Sequence, residues 1–391
     1  MPQINFDQII DRSKSGAIYH EGLRQYFGRD DLLPLWIADM NFATPSFIIE
    51  ALRKRLEHPI LGYTQEPEAY RKAIIDWVGS HHQWKIERNW IRFIPGIVKG
   101  IGTIVNAMTS TDDEIVIMTP VYHPFRLVPE GNGRTVVQCP LDTSGDTPAI
   151  NFDRLASLCN DRTRLLILCN PHNPIGICWD RETLIRLADF CHERNLLVIS
   201  DEIHCDMALF GHKHIPFASV SQKAADISIT FQAPTKTFNI AGVVSSHAIV
   251  PNEDIRKKYF GWLKANELDF PHLFAPIATI AAFSEEGEEW RKQMLHYLED
   301  NICFVEDYCR EHLPQIHPVR PQASFLVWLD FRELGLTHTQ LFDLVVNRAR
   351  LALNDGAMFG KEGMGFMRLN VGVPRTIIRQ ALDQLRKEIE G

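Results

Sequence analysis

A chain of 391 residues, 45% hydrophobic and 23% charged, can bury one large core and a second, smaller one, which excludes a disordered protein. The formal net charge is −8 and no run of five or more basic residues occurs, which argues against nucleic acid or an anionic membrane surface as the main partner and leaves small molecules or a second copy of the chain. There is no basic-then-apolar leader, no run near the roughly 18 apolar residues of a membrane span, and no C-x-x-C pair among eight cysteines, so a cytoplasmic, reduced protein without a disulfide frame or a metal site is expected.

Residues 31–45 are apolar but carry two prolines, which predicts an ordered extended segment in which Trp36 and Asp39 are positioned to line a pocket. Ser46 is placed to cap a helix running to about Arg55. Gly62-Tyr63-Thr64 reads as a turn before a helix from Glu66 to Ser80. From Arg92 the chain reads as strand, Pro95-Gly96 turn and apolar helix to Met108, and free N–H groups at such a helix start can hold a phosphate. The pattern is neither G-x-G-x-x-G nor a P-loop. Lys99 would lie within that helix.

Strands and helices then alternate. Strands are expected at Glu114–Met118, Arg134–Gln138, Arg164–Cys169, Leu196–Ser200, Ala225–Phe231 and Val243–Val250. Helices are expected at Phe152–Cys159 and, capped by Asp180, at Arg181–Arg194. This alternation predicts an α/β fold with a largely parallel sheet buried on both faces, whose ligands bind beyond the strands' C-terminal ends. Four strand ends carry unusual polar residues: Tyr122, Asn173, Asp201 and Lys236. After Glu285 come helices over 286–312, a strand at Ser324–Asp330, a helix near 339–349, a strand over 365–372 bearing Arg368 among apolar neighbours, and a helix at Thr376–Glu388. A large domain over 46–285 and a small α+β domain made of 1–45 and 286–391 are expected. A buried Arg368 needs an anion, either an internal carboxylate or a substrate's.

Lys236 follows the β-rich run 227–231 in the turn Ala233-Pro234-Thr235-Lys236, where desolvation lowers a lysine's pKa and makes it a nucleophilic amine. With the other strand ends it matches the needs of pyridoxal phosphate. The aldehyde needs Lys236, the ring nitrogen a buried carboxylate (Asp201), the ring hydroxyl donors (Asn173, His204), the ring face an aromatic (Tyr122), and the phosphate the N–H groups of Gly96, Ile97 and Val98. His204, His212 and His214 stand near Cys205 and Asp206, but without a helical H-x-x-x-H no metal is expected.

These residues sit in the stretches Trp36-Ile37-Ala38-Asp39-Met40, Gly62-Tyr63, Pro95-Gly96-Ile97-Val98, Pro120-Val121-Tyr122-His123-Pro124-Phe125, Asn170-Pro171-His172-Asn173-Pro174, Asp201-Glu202-Ile203-His204, Pro234-Thr235-Lys236-Thr237-Phe238-Asn239 and Arg368-Leu369-Asn370. In that order they resemble the fold-type-I, aminotransferase class I/II enzymes, and within them the MalY/PatB-type C–S lyase (cystathionine β-lyase) branch. The resemblance implies a homodimeric pyridoxal-phosphate enzyme acting on an amino acid, with Lys236 linked to the cofactor and acting as base at the substrate Cα. It also implies that Asp201 serves the ring nitrogen, Arg368 with Asn173 the substrate carboxylate, and Thr235 and the partner's Tyr63 the phosphate. Trp36, Asp39 and His123 would line the substrate side. An aminotransferase is the alternative within the same chemistry, and a regulatory protein keeping the fold is the alternative outside it. Four positions depart from relatives: Ala233 and Val244 stand where many have a phosphate-binding serine and arginine, Asn41 replaces an acid, and His123 a second tyrosine.

Overall fold

The computed structural model describes residues 3–145 and 147–391. Its centre is a seven-stranded sheet of β1 (Ile91–Ile94), β2 (Glu114–Thr119), β3 (Thr135–Pro140), β4 (Thr163–Cys169), β5 (Leu197–Asp201), β6 (Ser228–Gln232) and β7 (Ser246–Ile249), in the spatial order β1-β7-β6-β5-β4-β2-β3. Only β7 runs against its neighbours.

The alternating side-chain direction of a strand explains why these segments are apolar throughout. Val116 and Met118 of β2, with Leu166 and Leu168 of β4, face the helix Arg181–Glu193 through Leu184, Leu187 and Cys191. Ile115, Ile117, Leu165 and Ile167 point the other way, to Ile101, Ile104 and Val105 of the helix Ile97–Met108 and to Tyr259 and Leu263 of Glu253–Ala265. Each such aliphatic side chain contributes about 1.5–3 kcal/mol by leaving water. The helix Ile97–Met108 lies very close to the sheet at Gly100, where a Cβ would stand 2.8 Å from Ile94 Cδ1 and 2.9 Å from Phe231 Cζ. That approach holds the helix start at the carboxyl ends of the central strands.

The C-terminal part is a four-stranded antiparallel sheet in the order Asn354–Asp355, Phe366–Asn370, Leu326–Asp330, His317–Val319, packed with the helices Glu285–His312 and Arg375–Glu390. Arg368 faces Trp328 in its register. Leu33–Pro34 pairs in parallel with Leu351–Ala352, so the extended N-terminal segment is tied to this part of the chain.

Several expected boundaries shift. The strand expected at Ala225–Phe231 is a helix, Gln222–Ile227, followed by β6, because Ser221 caps the backbone through Ala224 N and delays the strand to Ser228. The strand expected from Val243 starts at Ser246, after a turn in which Val244 adopts a left-handed φ of 52°. Ser46 is the first helical residue of Ser46–Leu56 and makes no capping bond; Pro45 precedes it. Asp180 does cap Arg181–Glu193, accepting from Thr183 N at 2.7 Å. No helix is long and apolar enough to cross a membrane among the described residues.

Candidate active site

A cavity of about 190 Å³ opens at the carboxyl ends of the central strands, lined by Ala38, Gly96, Ile97, Val98, Tyr122, Cys169, Asn173, Asp201, Ile203, His204, Thr235, Lys236, Ala241, Val244 and Ser246. Lys236 sits in the tight turn after β6, held by the bonds Phe238 N to Pro234 O and Ile240 N to Thr235 O, both 3.0 Å. Its ammonium donates to Ala38 O. Desolvation lowers its pKa to about 8, against the raising influence of Asp39, and Arg368 pushes it further down.

Asp201 ends β5 and is buried. Desolvation raises its carboxyl to about 7, although Ile203 N donates to Oδ1 at 3.1 Å and Lys236 is near. A carboxylate in such a place stays charged readily only when a cation faces it. His204 is neutral because burial lowers its pKa to about 3, and its Nδ1 has no partner among the described residues.

The helix Ile97–Met108 aims its first turn into the cavity, and Gly96 with φ 103° makes the bend that allows it. One expectation is corrected here. Gly96 N–H donates to Ile94 O at 2.9 Å and is not free for a phosphate, whereas Gly100 N returns to Gly96 O and leaves the amides of 97–99 as the unpaired donors of the first turn. Lys99 is exposed on the outer side of this helix. Ser246, at the start of β7, adds a hydroxyl to the lining that the sequence reading missed, whereas Ala233 is buried in the core beneath.

Arg368 is 3% exposed, so its partners decide what it is for. Nη1 donates to Asn173 Oδ1 at 3.0 Å and Nη2 to Trp36 O at 3.1 Å and to Asn354 Oδ1, while Nε has no partner among the described residues. No carboxylate pairs with it among the described residues, and Phe359 stacks against the guanidinium at 4.9 Å. A buried cation surrounded by neutral oxygens is stabilised by an incoming anion. Asn173, whose oxygen serves Arg368, keeps its amide nitrogen for the cavity it lines.

The remaining expected residues are not in the lining of this cavity. The Trp36 indole N–H is spent on Tyr19 O, so this residue serves through its carbonyl and not its ring. Asp39 forms a two-bond pair with Arg12, at 2.7 and 3.1 Å, beside the Lys236 seat. His123 is held neutral by burial, with a pKa near 4, next to Tyr122 and Phe359. Tyr63 is fully exposed with Ile60 and Leu61 and touches nothing in the site.

The family model described as aminotransferase class I and II matches residues 30–385. Cystathionine beta-lyase PatB of Bacillus subtilis is 39% identical over 98% of this chain and 99% of its own length. Among solved structures, cystalysin of Treponema denticola, which contains pyridoxal 5′-phosphate, superposes with a TM-score of 0.94 at 31% identity, over 99% of this chain and 98% of that one. The pyridoxal-phosphate-bound C–S lyase of Staphylococcus hominis gives 0.90 at 32% identity over the same shares.

Proposed function

The chain belongs to the aminotransferase class I and II family, and we propose that it is a pyridoxal-phosphate C–S β-lyase cleaving cystathionine or a related S-substituted cysteine. The reading rests above all on Arg368, a buried cation with only neutral partners beside the cavity that holds Lys236 and Asp201, and the full-length likeness to PatB favours the lyase over an aminotransferase.

The cavity fits the cofactor in its own chemistry: a pKa-depressed amine, a buried acid that needs a cation, unpaired helix amides and a neutral imidazole in one lining. Lys236 would hold the aldehyde, Asp201 the ring nitrogen, Tyr122 the ring face, His204 and Asn173 the ring hydroxyl, and Ile97, Val98, Thr235 and Ser246 the phosphate. When bound, pyridoxal phosphate supplies a carbonyl that takes up the substrate amine and a ring that withdraws electrons from Cα.

Arg368 Nε grips the substrate α-carboxylate, and its three outer bonds fix that grip so that Cα–H points towards Lys236. Lys236 then takes the Cα proton, for which its depressed pKa suits it near neutral pH. The Cβ–S bond breaks with its electron pair on sulfur, and the thiolate collects a proton to leave as thiol. The three-carbon product adds water and falls to pyruvate and ammonia. The Asp39–Arg12 pair holds the segment that carries Ala38 O, the seat of the Lys236 ammonium.

The test is thiol release from cystathionine, with alanine, which has no leaving group, giving no pyruvate. Arg368→Ala should raise KM and lower kcat together, by roughly ten- to a hundred-fold each, since one contact both binds and orients. Release unaffected by the substitution would take the carboxylate away from Arg368.

We further propose a homodimer in which Tyr63 completes the partner subunit's phosphate site. The apolar run Ile60, Leu61, Tyr63 is exposed by 60% or more at each position, which a second copy would cover. Mixing Lys236→Ala with Tyr63→Ala subunits should recover activity through hybrids carrying one intact site. No recovery after verified subunit exchange would mean that each site is built from one chain.

A further inference from the structure

Behind the strand end that carries Asp201, the chain turns through Cys205–Met207 and meets the last residue of the helix Glu68–His82. There the ligand atoms of His82, Cys205 and Asp206 all lie within 4.8 Å of one another. His82 Nε2 and Asp206 Oδ1 are 2.9 Å apart, and their side chains are 5% and 3% exposed. Trp77 Nε1 donates to the same oxygen at 3.0 Å, and Arg291 donates to Asp206 O at 3.0 Å, which fixes the aspartate from two sides. Cys205 is buried and free.

This set borders a separate cavity of about 570 Å³, lined also by His81, His212, His214 and Arg291. His214 is 7% exposed, its Nε2 is engaged by Glu202 Oε2 at 2.9 Å, and its Nδ1 has no partner among the described residues. Its ring stands 5.2 Å from that of His82. A second imidazole nitrogen is therefore buried and unspent beside the triad. None of these groups is used by the lyase chemistry.

We propose that His82, Cys205 and Asp206 form a site for a borderline-soft divalent cation, Zn²⁺, whose fourth position faces the 570 Å³ cavity. Nitrogen, sulfur and oxygen from three side chains with one open position is a zinc donor set. Tetrahedral coordination asks for ligand separations of roughly 3.3–3.6 Å, so on binding His82 Nε2 and Asp206 Oδ1, 2.9 Å apart, open by about half an ångström, while a separation as wide as 4.8 Å closes by about 1 Å. Binding deprotonates the Cys205 thiol, whose proton passes to water in the cavity, and takes His82 as the neutral tautomer with its proton on Nδ1 and its Nε2 lone pair on the ion, so two negative ligands, Cys205 and Asp206, face the cation. Arg291, the cation that donates to Asp206 O, is paired with Glu288 at 2.7 Å. Arg181 and Lys213 also line the cavity. The bound ion would clip the helix end at His82 to the turn that follows Asp201 and His204, which links the site to the strand end of the active cavity.

The experiment uses the intact cofactor-loaded protein stripped of metal by chelation. Zn²⁺ affinity is measured by competition with a chromophoric chelator, on the unmodified protein, on Cys205→Ser and on His82→Gln. One Zn²⁺ per chain is expected, weakened at least ten-fold in both variants, each of which should keep its cofactor absorption and its melting temperature in chelator. Unchanged affinity in either variant, or no bound Zn²⁺, overturns the proposal. Co²⁺ provides a check that needs no variant: the unmodified protein should develop intense d–d bands beyond the cofactor's absorption, the mark of a tetrahedral site with thiolate. Weak octahedral bands or none would overturn it equally.

Discussion

Lys236→Ala is expected to abolish turnover, with kcat reduced on the order of 10⁴-fold or more, because one side chain serves as both the amine that carries the cofactor and the base at Cα. Two readouts separate these roles. Borohydride reduction should fix the cofactor covalently to the unmodified protein and not to the variant, and an added small amine should restore part of the proton transfer without restoring the covalent link. A reducible lysine adduct in Lys236→Ala would move the role to another amine; Lys99, exposed on the far side of its helix, is badly placed for it.

Asp201→Asn should keep the cofactor and lose rate, by about 3 kcal/mol or on the order of a hundred-fold in kcat, since the neutral amide no longer keeps the ring nitrogen protonated as charge builds at Cα. The same residue predicts a pH signature in the cofactor-free protein. Burial holds its folded-state pKa near 7, above that of an unfolded aspartate, so its contribution to stability is complete in acid and is lost as pH rises through about 7. Apoprotein melting temperature should therefore fall from about pH 4 to about pH 7, and less so in Asp201→Asn. A near-normal rate in the variant, with an unchanged melting profile, would take Asp201 out of the ring-nitrogen role.

How much of this was readable in the chain depended on whether the signal was local. Lys236, Asp201, Asn173 and Tyr122 each close or follow an apolar strand, and a buried polar residue at a strand end is visible as a break in a continuous pattern; all four line one cavity. The spent N–H of Gly96 was not visible, because a backbone bond to Ile94 O depends on the left-handed turn and not on residue type. The direction of β7 was not visible either, since strand polarity in a sheet is a long-range property. Of the helices absent from the sequence expectation, the chain marks one, since Asn252 caps Glu253–Ala265 through Asp254 N and Ile255 N, whereas Phe274–Ala282 is apolar with an internal proline and shows little helical patterning. The neutral surroundings of Arg368 come from Asn354 on the neighbouring strand and from Trp36 O and Asn173 on two distant segments, so the choice between an internal and an incoming carboxylate needed the folded chain. His82 meets Asp206 across 124 residues of sequence, so no spacing rule links them.

The most direct test of the lyase reading is product stoichiometry from cystathionine with no keto acid added. Arg368 and Lys236 would serve an aminotransferase equally well up to removal of the Cα proton, and only the fate of Cβ separates the two reactions. The account predicts pyruvate and ammonia in equal amounts, continuing over many turnovers per active site, with one thiol released for each pyruvate. Turnover that stops after a single equivalent, leaves the cofactor as pyridoxamine phosphate and resumes only when a keto acid is supplied would contradict it.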